Sequence, residues 1–70
     1  MKREQVTIGA RLQVAIDSWA GRTLHRVQVL SVSVRYARVE WQDDPAFGRQ
    51  PGNSYRVPLS ALRDQHAAAG

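Results

Sequence analysis

The chain contains no cysteine. Disulfides and thiolate metal sites are therefore closed to it, although these are the usual staples of so small a scaffold. It has no apolar run near the roughly 20 residues needed to span a bilayer. Its basic opening, Met1-Lys2-Arg3-Glu4-Gln5, leads into no apolar stretch of signal-peptide length. A cytoplasmic protein without membrane association is expected, and the initiating Met suggests a complete small prokaryotic or viral gene product. Lysine is nearly absent too, with one Lys against nine Arg, and only five residues are aromatic.

What is present is a single domain's worth of chain, 70 residues, whose core must be compact because a chain this short buries a small share of its surface. Packing must supply its stability, and self-association is a further route. Ten Lys plus Arg against six Asp plus Glu give a formal charge of +4 and a pI near 10.7. A charge of that size suits solubility alone. Carried by arginine, with its planar bidentate donors, it also suits an anionic partner that offers phosphate or stacking surfaces.

Leu12, Val14 and Ile16 alternate with Arg11, Gln13 and Ala15, the period of a half-buried strand, and Val6 and Ile8 extend the pattern ahead of Gly9. Asp17-Ser18-Trp19-Ala20-Gly21-Arg22 reads as a loop of turn formers. From Leu24 to Val34 the apolar residues change parity, from Val27 and Val29 to Leu30, Val32 and Val34, which predicts a bulge near Val29-Leu30. After a turn near Arg35, Ala37, Val39 and Trp41 alternate with Tyr36, Arg38 and Glu40. This strand is expected to put Trp41 in the core and an aromatic and two charges outside.

Asp43 to Asn53 holds two Pro, two Gly, two Asp and an Asn and reads as one long loop. Tyr55-Arg56-Val57 resumes as a short strand that Pro58 ends or confines to an edge. Leu59-Ser60-Ala61-Leu62 suggests one helical turn, and residues 64–70 a frayed or flexible tail after a domain spanning 1–63. The expected architecture is all-β: a small barrel of four to five antiparallel strands with one short helical turn near the C-terminus.

Gly9-Ala10-Arg11-Leu12-Gln13-Val14, Trp19-Ala20-Gly21-Arg22, Val27 to Val32 and Ala37 to Trp41 together resemble the first three strands of SH3-like small barrels of the KOW and Tudor type. The ending Val57-Pro58-Leu59-Ser60-Ala61-Leu62-Arg63 is similar to the strand, proline and helical turn found late in such barrels. The resemblance covers about four fifths of the chain and encodes fold geometry more than chemistry. It departs from the KOW pattern at Leu24-His25-Arg26, where a glycine usually opens the second strand. The ending also resembles plasmid-borne dihydrofolate reductases built on this barrel. Their Gln-Ile-Tyr triplet is here Tyr55-Arg56-Val57, so that activity is not carried over. Binding to RNA, DNA, their machinery, or peptides is what the superfold implies.

No enzyme is expected. His25 and His66 have no Cys or carboxylate at ligand spacing, Asp43-Asp44 before a proline suits a turn, and Ser31, Ser33 and Ser60 lack a base to activate them. Basic and aromatic residues interleave instead: Arg22, Arg35, Tyr36, Arg38, Phe47, Arg49, Tyr55 and Arg56, with Trp19 in the first loop. Rings of this kind stack on bases while guanidinium groups hold phosphates. Phe47 and Tyr55 could equally cap the barrel. The leading expectation is a non-enzymatic module that binds RNA or DNA, or a complex that handles them. The alternative is a protein interaction module in which Trp19, Phe47 and Tyr55 line a groove for a peptide or an acidic protein. No metal or organic cofactor is expected, and exhaustive chelation should leave the melting temperature unchanged. A large fall would reveal a site built of His and Asp side chains.

Overall fold

A computed structural model of the chain describes residues 2–64; the expected tail beyond Asp64, including His66, lies outside them. Five antiparallel strands form one sheet: β1 (Arg11–Ser18), β2 (Gly21–Val32), β3 (Tyr36–Trp41), β4 (Ser54–Pro58) and β5 (Leu62–Asp64), in the order β4-β3-β2-β1-β5. Helical structure among the described residues amounts to two 3-10 turns, Arg3–Gln5 and Leu59–Ala61. Among the described residues no helix is long and apolar enough to cross a membrane.

The order has a geometric consequence. β4 and β5 are the two edges of the sheet, yet only Leu59–Ala61 separates them. In a flat sheet the edges would lie about 19 Å apart, at roughly 4.8 Å per strand spacing. Four Cα steps reach at most about 14 Å when extended and about 8 Å as a 3-10 turn. The sheet therefore has to curl until its edges approach each other. Pro58, which has no N–H to donate, sits where an edge strand ends and tolerates it.

The curl needs a bend, and β2 provides it. Its pairing with β3 runs Val27↔Trp41, Gln28↔Glu40 and Val29↔Val39, then resumes at Ser31↔Arg38 and Val32↔Ala37, with the register shifting between Val29 and Ser31. That is the bulge the parity change predicts. Leu30, the extra residue, is left exposed, while Val32 packs against the core.

Three boundaries differ from the sequence reading. β1 and β2 pair without interruption from Arg11↔Gln28 to Ser18↔Gly21, so the loop is only Trp19-Ala20. The polar turn formers Asp17, Ser18 and Arg22 are thus strand residues at an exposed hairpin end, and Gly21 (φ +112°) takes the backbone angle that an L side chain would resist. Nor do Val6 and Ile8 extend β1. The Ala10 N–H donates to Thr7 O (3.0 Å), closing a turn, and Gly9 and Ala10 bond the backbone of Val29 instead. Val6 is thereby buried and Ile8 exposed. β5 takes in Asp64, which pairs with Leu12.

The core is the inner face of the curl: Leu12 and Val14 of β1, Val27 and Val29 of β2, Ala37, Val39 and Trp41 of β3, Val57 of β4, and Leu59 and Leu62, with Val6 at the end. Trp41 is the largest of them and only 1% exposed. Trp41→Ala should cost roughly 3–5 kcal/mol, read as a shift in the urea midpoint; an unshifted midpoint would place the ring outside the core.

Candidate nucleic-acid interface

The long loop between β3 and β4 is anchored rather than loose. The Trp41 N–H donates to Asn53 O and the Gly52 N–H to Trp41 O (2.9 Å each), and the Trp41 indole Nε1–H donates to Asp44 O (3.0 Å). At its tip, Ala46 and Arg49 exchange two backbone bonds around Phe47 (φ +53°) and Gly48 (φ +75°). Positive φ at both central residues is the type I′ requirement. Glycine meets it freely and phenylalanine does not, so side-chain contacts must hold Phe47 there.

Those contacts form a stack. His25 lies against Trp41, with centroids 4.9 Å apart, and Phe47 meets His25 edge-on at 5.8 Å. The Arg49 guanidinium sits over both Trp41 (5.9 Å) and Tyr55 (5.4 Å), and the Tyr55 hydroxyl accepts the Gln50 N–H (3.0 Å). Phe47, Arg49 and Tyr55 thus fold the loop over the end of the sheet. Of the three, only Phe47 keeps much exposed surface.

The fold also supplies His25 with a carboxylate that sequence spacing did not show. Asp43 Oδ2 lies 3.2 Å from His25 Nδ1, while His25 Nε2 is 2.7 Å from the Thr23 hydroxyl. A hydroxyl–imidazole–carboxylate chain has the members of a catalytic triad, but these three residues line neither of the two concavities described below. What the chain does here is tie the loop to β2. Among the described residues no group of three or more His, Cys, Asp or Glu could hold a metal.

A different set converges on the outer face of β3 and β4. Antiparallel register places Arg38 directly opposite Arg56, with Tyr36 opposite Pro58 and Glu40 opposite Ser54. Like charges facing across a ladder destabilise it. Among the described residues the ion pairs are Arg22–Asp17, His25–Asp43 and Arg26–Asp43, so neither arginine has a carboxylate partner. Arg38 reaches only the Ser54 hydroxyl (3.3 Å), and Arg56 lies over the Tyr36 ring at 4.8 Å. A groove of about 650 Å³ opens on one side of Tyr36, with Lys2, Arg3, Glu4 and Arg35 in its walls. Tyr36 also lines a smaller concavity of about 140 Å³, together with Ser31, Val32, Ser33, Ala37, Arg38 and Arg56.

Of the residues expected to bind, Arg35, Tyr36, Arg38 and Arg56 are brought together. Arg49, Tyr55 and Phe47 belong to the loop stack. Trp19 stands 99% exposed at the β1–β2 hairpin tip, where Arg22 is held by Asp17 at 2.8 Å. By hydrogen bond and charge, Arg22 keeps the Asp17 carboxyl below its ordinary value. Lys2 and Arg3 were not anticipated: no local pattern marks them, and they join the groove because the 3-10 turn, closed by Gln5 N–H to Lys2 O (3.0 Å), folds back there. Compared with protein-family models, curated proteins and solved structures, the chain finds no match in any of the three.

Partial burial pushes the Asp43 carboxyl up, but hydrogen bonds from the Asp44 amide, His25 and Arg26, with the Arg26 charge, outweigh it and hold the group below its ordinary 3.8. A depressed carboxyl stabilises the fold above the unfolded-state value, and the contribution disappears as pH falls through the folded-state value. Asp43→Asn should therefore lower the denaturation midpoint at neutral pH, with the deficit shrinking below about pH 4. A deficit that persists unchanged into acid would show that the carboxylate charge is not what holds the loop.

Proposed function

We propose that the chain is a non-enzymatic module of the SH3-like small-barrel kind that binds nucleic acid through the outer face of β3 and β4. The strand order β4-β3-β2-β1-β5, with a 3-10 turn between β4 and β5, supports the fold-family part of this reading and agrees with the resemblance in sequence. The observation that carries the functional part is the Arg38–Arg56 pair, two cations set opposite each other without a carboxylate. Such a pair costs the free protein stability, and a bound polyanion would offset that repulsion. Lys2, Arg3 and Arg35 extend the positive surface around Tyr36. Backbone contacts of this type position a nucleic acid without reading its sequence.

The full exposure of Trp19 favours a second reading, in which the hairpin tip anchors an acidic protein partner and positive charge steers the encounter. Salt dependence separates the two. Each phosphate contact contributes about −0.7 to −0.9 to the slope of log affinity against log salt, so three or four cations give about −2 to −4. Arg38→Ala and Arg56→Ala should each reduce that slope by about one unit. Fluorescence anisotropy with labelled oligonucleotides measures both. No binding at tens of micromolar protein and low salt would transfer the case to the protein partner, where Trp19→Ala should abolish a nuclease-resistant complex.

A further inference from the structure

The two concavities beside Tyr36 differ in chemistry as well as size. The floor of the larger one is apolar, made by Val34, Tyr36, Pro58 and Leu59. Val34 is 71% exposed and Tyr36 43% exposed, so this floor faces solvent. Its walls carry three cations, Lys2, Arg3 and Arg35, against one carboxylate, Glu4, a net charge of +2. The smaller concavity adds polar groups to its apolar lining: Val32, Tyr36 and Ala37 are joined by the hydroxyls of Ser31 and Ser33 and by Arg38 and Arg56, with no carboxylate among them. Tyr36 lines both, and although the Arg56 guanidinium lies over its ring at 4.8 Å, Tyr36 keeps surface open to a ligand.

A ligand that matches this surface alternates anionic groups with flat apolar ones. A phosphate suits the Arg38–Arg56 concavity, a ring suits the Val34–Tyr36–Pro58 floor, and a further phosphate suits the Lys2–Arg3–Arg35 wall. Single-stranded nucleic acid presents this alternation, because its bases are free to leave the stack and lie on an aromatic side chain. A duplex presents the phosphates alone. Its base faces are stacked, and extruding one costs a few kcal/mol. Cations without an apolar floor would take either form.

We infer that the groove floored by Val34, Tyr36 and Pro58 seats an unpaired nucleobase, and that the ligand of this face is single-stranded nucleic acid. The inference rests on the nucleic-acid reading above and narrows it. Tyr36 is the stacking platform, and the arginines on either side hold the phosphates that flank the seated base.

The test uses the full chain and fluorescence anisotropy at low salt, with labelled oligo-deoxythymidine as the single strand and a mixed-sequence hairpin duplex of equal length. The single strand should bind about tenfold tighter or more, the duplex lacking a free base to seat. Tyr36→Ala should weaken single-strand binding roughly tenfold to a hundredfold without changing the salt slope, since stacking releases no counterions. Tyr36→Trp should retain most of the affinity. Val34→Asp, at an exposed position outside the core, puts a carboxylate on the floor and should also weaken the single strand, which keeps the test open if Tyr36→Ala fails to fold. Duplex binding as tight as single-strand binding, or Tyr36→Ala and Val34→Asp variants that fold and bind the single strand like wild type, would overturn the inference and leave the broader reading standing. Absence of binding to both probes would overturn the two together.

Discussion

Trp41 joins two tasks that a chain without disulfides has to accomplish by packing. Its ring closes the core at the end of β3 while its indole N–H and its backbone N–H and C=O hold the long loop. His25, Arg49 and Tyr55 then pack against the same ring system, so the loop is built on the core instead of hanging from it. This explains how eleven residues rich in proline and glycine can adopt a defined path in so small a domain, and how Phe47 is kept at a backbone angle its side chain disfavours.

The proposed interface lies away from that hub. In the loop stack Arg49 lies over two rings, and Arg26 and the His25 ring both meet Asp43. The outer face of β3 and β4 sets Arg38 opposite Arg56 without an ion-pair partner for either, Arg56 lying over the Tyr36 ring, while Tyr36 and, in the turn before β3, Val34 keep exposed surface. Like charges opposite each other and exposed apolar surface do not favour the isolated fold. The functional reading proposed above stands on that local feature of the free protein.

Much of the architecture was legible because burial of one face imposes a period of two. The alternation through Val39 and Trp41 identified the core face of β3, and the parity change after Val29 marked the bulge before any partner strand was known. Boundaries near turns were less legible. Asp17, Ser18, Gly21 and Arg22 have the composition of a loop but lie at the end of an exposed hairpin, where polar side chains and paired backbone are compatible. Ile8 and Val6 carried the right period on a segment that tertiary contacts with Val29 bend out of line.

The sequence by itself determined the class of fold, the core faces of β1 and β3 and the exclusion of thiol chemistry, because composition and periodicity act residue by residue along the chain. Only the tertiary structure decided which arginines and aromatics share a surface. Local spacing records the face on which a side chain emerges, but its neighbours there depend on strand register. Register is set by the loop that joins β3 to β4 and by the curl that brings β4 close to β5. Arg38 and Arg56, on opposite sides of that loop, meet for this reason, and Arg49 and Tyr55, equally basic and aromatic in sequence, are drawn into the stack beneath it.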